Sequence, residues 1–167
     1  RGFSGNDKIL AGAGDDRIIG DNGLDHIFGE DGNDIIQSGR HNDRISGGNG
    51  NYLIFSHNDN DFVEGDAGND TINLGAGNDR GFGGADDDII YGGAGNDRMY
   101  GDDGEDRLEG QNGNDVMYGG ADDDALYGAG GFDTLYGDAG DDFLNGGNDA
   151  DKLYGGIGAD ALRGGNG

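Results

Sequence analysis

Neither cysteine nor proline occurs among the 167 residues. Without cysteine there are no disulfides and no thiolate metal sites to hold a weak core together. Basic residues are scarce: ten Lys and Arg stand against 35 Asp and Glu, a formal charge of −25. That imbalance argues against nucleic acid as a partner, because its phosphates would be repelled. No apolar run approaches the roughly 18 residues that a membrane helix needs. No basic stretch precedes an apolar one as in a signal peptide, so neither a span nor a leader is expected. Hydrophobic residues make up only 32%. Low hydrophobicity with high net charge describes a chain that cannot offset its own ordering entropy. Either it stays disordered or another agent supplies the missing free energy. With thiolates absent, a hard cation held by carboxylates is the remaining agent.

Glycine and aspartate are abundant, and both are periodic. Stepping by nine from Asp7 gives Asp16, Asp25, Asp34, Asp43, Tyr52, Asp61, Asp70, Asp79, Asp88, Asp97, Asp106, Asp115, Asp124, Asp133, Asp142, Asp151 and Asp160. One position in eighteen, Tyr52, departs from Asp. Two residues after each Asp runs an aliphatic row, from Ile9, Ile18 and Ile27 to Leu162, broken once at Gly81, where Leu74 or Phe82 is expected to fill the space. Glycine dominates two residues before the Asp (Gly5, Gly14, Gly23) and five before it (Gly83, Gly92, Gly101). The unit is G-x-x-G-x-D-x-U-x, with U a large aliphatic residue, and repeats of this kind decide the fold before any local signal does.

Each unit reads as a strand and a turn. In Arg98-Met99-Tyr100, alternation points Met99 inward and its neighbours outward. The preceding six residues are expected to turn the chain, with glycine supplying positive φ. Where the fourth-position glycine is missing, His41, Asp59, Asp86, Asp122 and Asp149 replace it. Asp and His are among the residues that best tolerate the left-handed region. Two units close a coil of 18 residues, so unit n stacks on unit n+2 at about 4.8 Å. The expected fold is all-β: a right-handed parallel β-roll, a β-solenoid of about nine coils with two nonapeptides per coil. Stacked carboxylates would repel unless a cation lay between them. Ca²⁺ accepts six to eight oxygens, including backbone carbonyls, which suits a glycine-rich turn.

The units Gly83-Gly84-Ala85-Asp86-Asp87-Asp88-Ile89-Ile90-Tyr91 and Gly92-Gly93-Ala94-Gly95-Asn96-Asp97-Arg98-Met99-Tyr100 resemble the RTX family of calcium-binding repeats, and the resemblance runs from Gly2 to Gly167. It implies that each Ca²⁺ is held by two Asp side chains of the row plus turn carbonyls. The first site would use Asp7 and Asp25 with carbonyls of Phe3, Gly5, Gly20 and Asn22. Further carbonyl ligands would come from Gly92, Gly95, Gly101, Gly104, Gly110, Gly113, Gly119, Gly128, Gly137 and Gly140. Tyr52 brings no carboxylate, so the row should be interrupted between Asp34 and Asp70. Eight successive pairs on each of two rows, less two at Tyr52, leave fourteen ions. Their charge nearly balances the −25 of the chain, within a range of about 12–16 ions at six to eight oxygens each. The resemblance also implies bacterial origin, export unfolded through a type I system, and folding on calcium outside the cell or at its surface.

Other chemistry finds little support. His26, His41 and His57 occupy three different repeat positions and make no zinc spacing and no nucleophile pair. Asp repeated along the whole chain offers no unique acid/base pocket, so no catalytic residue and no enzyme activity is expected. The glycines lack the G-x-x-x-x-G-K-[ST] pattern of a phosphate loop. An ice-binding array would need a regular Thr or Asn row, whereas the third position varies through Ser4, Ala13, Asn22, Asp31 and Arg40. One row goes beyond the repeat: Tyr100, Tyr118, Tyr136 and Tyr154 recur every 18 residues. It reads as cross-strand stacking, or as a contact surface for polysaccharide or a neighbouring copy.

Residues 1–167 read as one continuous array. Arg1 is not a natural start and Gly167 stops within a repeat, so a segment of a longer protein is expected. That parent would be a surface-layer fibre or adhesin with the array as spacer. The alternative is a secreted toxin, protease, lipase or alginate epimerase with the array as appendage.

Overall fold

The computed structural model describes all 167 residues as nineteen strands, from β1 (Phe3–Ser4) and β2 (Lys8–Ala13) to β19 (Ala161–Arg163), with no helix. Odd-numbered strands form a ten-stranded sheet and even-numbered strands a nine-stranded sheet, both wholly parallel. Register is fixed at 18 residues throughout, as in Arg80↔Arg98, Gly81↔Met99 and Phe82↔Tyr100. The chain therefore crosses from one sheet to the other at every nonapeptide and completes a coil with every second one. This is a parallel β-roll of about nine coils.

The strands are longer than the repeat suggests. Most span six residues, as in Arg98–Asp103 and Val116–Ala121, rather than three. Pairing skips the fourth residue, Gly101 in the first of these, and resumes at Asp102. The backbone bends at that glycine and continues the ladder, so only three residues of each nine turn. At the fourth repeat position, His41, Asp59, Asp86, Asp122 and Asp149 all hold φ between 70° and 76°. These are the positions where sequence alone required a left-handed conformation.

Alternation sends three residues of each unit inward: the Asp, the aliphatic residue two later, and the glycine two after that. The aliphatic row from Ile18 to Leu144 is buried, and most of its members are wholly inaccessible. Gly81 removes one side chain from it. Leu74 fills the space: a Cβ built on Gly81 would lie 3.1 Å from Leu74 Cδ1, and Leu74 itself is completely buried. Burying each such chain contributes about 1.5–3 kcal/mol.

On the outer face of the even sheet the aromatic row is stacked. Phe82, Tyr100, Tyr118, Tyr136 and Tyr154 follow one another at 4.6, 4.9, 4.8 and 4.8 Å between ring centroids, within 8° of parallel. On the odd sheet Glu109 and Asn145 stand in register between and after Tyr91 and Tyr127, so no ladder forms there.

Candidate metal sites along the two edges

The turns stack along two edges. One edge carries Asp7, Asp25, Asp43, Asp61, Asp79, Asp97, Asp115, Asp133 and Asp151. The other carries Asp16, Asp34, Tyr52, Asp70, Asp88, Asp106, Asp124, Asp142 and Asp160. All but the four terminal aspartates, Asp7, Asp16, Asp151 and Asp160, are fully buried. Burial follows from the inward phase of the row.

The two oxygens of each carboxylate have different surroundings. Oδ1 accepts the backbone N–H of the row residue one coil earlier: Asp97 N donates to Asp115 Oδ1 at 2.8 Å, and Asp106 N to Asp124 Oδ1 at 2.9 Å. Oδ2 is buried and has no hydrogen-bond partner in every row aspartate except Asp16 and Asp160. Burial pushes the carboxyls of Asp61, Asp88 and Asp124 up to about 8 and those of Asp70, Asp79, Asp106 and Asp115 up to about 7. The backbone N–H bond to Oδ1 opposes the shift, and neighbouring carboxylates mostly add to it. A buried carboxylate oxygen of this kind needs a proton or a cation.

Where the residue five before the Asp is glycine, it shapes the space beside Oδ2. A Cβ on Gly92 would lie 2.8 Å from Asp97 Oδ2 and 2.8 Å from the carbonyl oxygen of Gly110, one coil on. On Gly2 it would lie 2.5 Å from Asp7 Oδ2 and 2.8 Å from Gly20 O. Each cradle thus joins a carboxylate oxygen to a backbone carbonyl across two coils, and a methyl group would fill it. No three His, Cys, Asp or Glu side chains converge anywhere. The donors are oxygens shared between side chain and main chain, which fits a hard, adaptable cation such as Ca²⁺.

Among the carbonyls that the resemblance implies, those of Gly20, Gly101, Gly110, Gly119, Gly128 and Gly137 stand beside an orphaned Oδ2. Those of Gly5, Gly95, Gly113 and Gly140 face the α-carbon of the glycine one coil on. Asn22 O accepts the N–H of Gly5 at 2.8 Å. Phe3 lies in the exposed two-residue β1. Gly92 is itself a cradle glycine, and Gly104 turns at φ 136°.

At Tyr52 the phenol replaces the carboxylate and runs through the edge. Its ring lies against Gly29 and Gly47, and its hydroxyl donates to Glu30 O at 2.7 Å. Burial, then the charges of Asp34 and Asp70, push it up to about 12, so it remains a neutral donor.

Two features escaped the sequence reading. An outer ladder runs along each edge through the residue before the Asp: Asn78 Oδ1 accepts from Asn96 N at 2.8 Å, and Asn96 Oδ1 from Asn114 N at 2.7 Å. The recurrence of Asn at that position was the available signal. The cradle glycine is also replaced at Ala11, Ser38, Ser56 and Leu74.

A family model described as RTX calcium-binding nonapeptide repeat (4 copies) matches residues 1–36, 19–54, 53–80, 74–108, 100–135 and 136–167, which together span the chain. No curated protein matches it.

Proposed function

The chain belongs to the family of RTX calcium-binding nonapeptide repeats, and from that premise we propose that it is a structural module whose folding is driven by calcium along both edges. The observation that carries this reading is the row of buried, partnerless Asp Oδ2 atoms, most of them beside a carbonyl of the next coil. Two such aspartates per ion, with turn carbonyls, account for the charge of the chain and for its small hydrophobic content. The free energy of binding then serves as free energy of folding. Residues 1–167 act as one array, folded outside the cell where calcium is millimolar and unfolded where it is scarce. The module serves as a rigid spacer or surface-assembly element. The alternative, an appendage that aids type I export of a secreted enzyme or toxin, uses the same coupling.

No catalytic role is assigned, because identical carboxylates repeated along a rod provide no unique pocket. The tyrosine row supports stiffening more than recognition. Its ring faces are taken up by one another, which leaves edges and hydroxyls for polysaccharide or a neighbouring copy. Circular dichroism in EDTA and then in millimolar calcium tests the central claim. A disordered spectrum that becomes β-rich on addition is expected, with Mg²⁺ substituting poorly because it demands tight octahedral geometry. Identical β-rich spectra in both conditions refute it.

A further inference from the structure

Three successive coils of one edge lack the cradle glycine. The inward glycines that precede Asp43, Asp61 and Asp79 are replaced by Ser38, Ser56 and Leu74. All three side chains are fully buried. Ser38 Oγ donates to Ser56 O at 2.9 Å, and Ser56 Oγ donates to Leu74 O at 2.6 Å. Those are the carbonyls that, by position, stand where Gly110 O stands beside Asp97. Leu74 turns into the core against Gly81. On the opposite edge, and within the same stretch of the roll, the Tyr52 phenol crosses between Gly29 and Gly47.

From this we propose, building on the calcium reading above, that Ser38, Ser56 and Leu74 stand in for calcium at the Asp43, Asp61 and Asp79 cradles. One edge then consists of a short and a long calcium row separated by a section held by side chains. A hydroxyl donor meets the carbonyl that a cation would otherwise meet, and it does so at any calcium concentration; the buried Oδ2 of Asp43, Asp61 and Asp79, left without a cation, then takes a proton. Leu74 shows the same exchange in apolar form: it restores the core atom missing at Gly81 and, in doing so, fills a cradle. The coincidence of Leu74 with Gly81 is the mark of a compensated exchange, since either substitution alone would leave a void or a clash. The section gives the roll a stretch whose cohesion on that edge does not vary with calcium, from which the flanking rows can load.

Anomalous-scattering maps of crystals grown in calcium test this directly. Ions are expected beside Asp97, Asp115 and Asp133, and none beside Asp43, Asp61 and Asp79. Full-strength ions at the latter three overturn the proposal while leaving calcium binding intact. No ions on either edge overturns both. Ion counting by native mass spectrometry gives a second measure. S38G/S56G should bind about two more ions than the parent, and L74G/G81L, which restores the regular repeat, about one more. S38A/S56A should bind the same number as the parent. A loss of ions in S38A/S56A would show that the serine hydroxyls are ligands and would refute the proposal.

Discussion

Gly92→Ala isolates a single cradle. Gly92 does not hold a positive φ, so its backbone accepts a side chain. The added methyl would lie 2.8 Å from both Asp97 Oδ2 and Gly110 O, about where a cation would bridge them, and the second of these is backbone that cannot swing away. The ion is expected to be lost rather than the fold. With calcium at about 100 times the dissociation constant, one site contributes about 2.7 kcal/mol. At about 2–4 °C per kcal/mol for a chain of this size, the melting temperature should fall by roughly 5–10 °C in saturating calcium. The control is Gly130→Ala, whose Cβ would have a single neighbour at 3.5 Å and which should change stability by no more than a few tenths of a kcal/mol. Thermal melts by circular dichroism, with ions counted by native mass spectrometry, read both quantities. If Gly92→Ala binds as many ions as the parent and melts with it, the cradle does not hold calcium.

Acid should fold the metal-free chain rather than unfold it. Burial raises Asp61, Asp88 and Asp124 to about 8 in the folded state from an ordinary value of 3.8. Their protonation therefore stabilises the roll fully below the unfolded value, and that contribution is lost as pH rises through about 8. Circular dichroism of dialysed protein should gain β signal between pH 8.5 and 4, and a flat titration refutes the assignment. Replacing Tyr100, Tyr118, Tyr136 and Tyr154 together by Ser should leave calcium-dependent folding intact while lowering stability by about 0.5–1.5 kcal/mol per lost stack. Loss of glycan binding or self-association in that variant, measured by pull-down and sedimentation, would instead make the row a contact surface.

The period of nine was enough to establish a stacked parallel roll, its inward aliphatic row and its acidic edges, because period-2 alternation and an 18-residue coil leave one way to superimpose the units. Left-handed turns at His41 and Asp59 were legible for the same local reason: only a few residue types tolerate that conformation. The roles of the two carboxylate oxygens were not. The division of Asp97 into one oxygen bound to an N–H and one facing Gly110 O depends on how far adjacent coils are offset, which residue spacing does not contain. Likewise Leu74 and Gly81 lie seven residues apart in different sheets, and Tyr52 reaches Glu30 across 22 residues. Each is an irregularity in the repeat when read along the chain. Along the chain the gap at Gly81 admits Leu74 or Phe82 as its filler; close packing across the roll decides for Leu74, since the void has to be filled by the side chain that the opposite sheet brings to it.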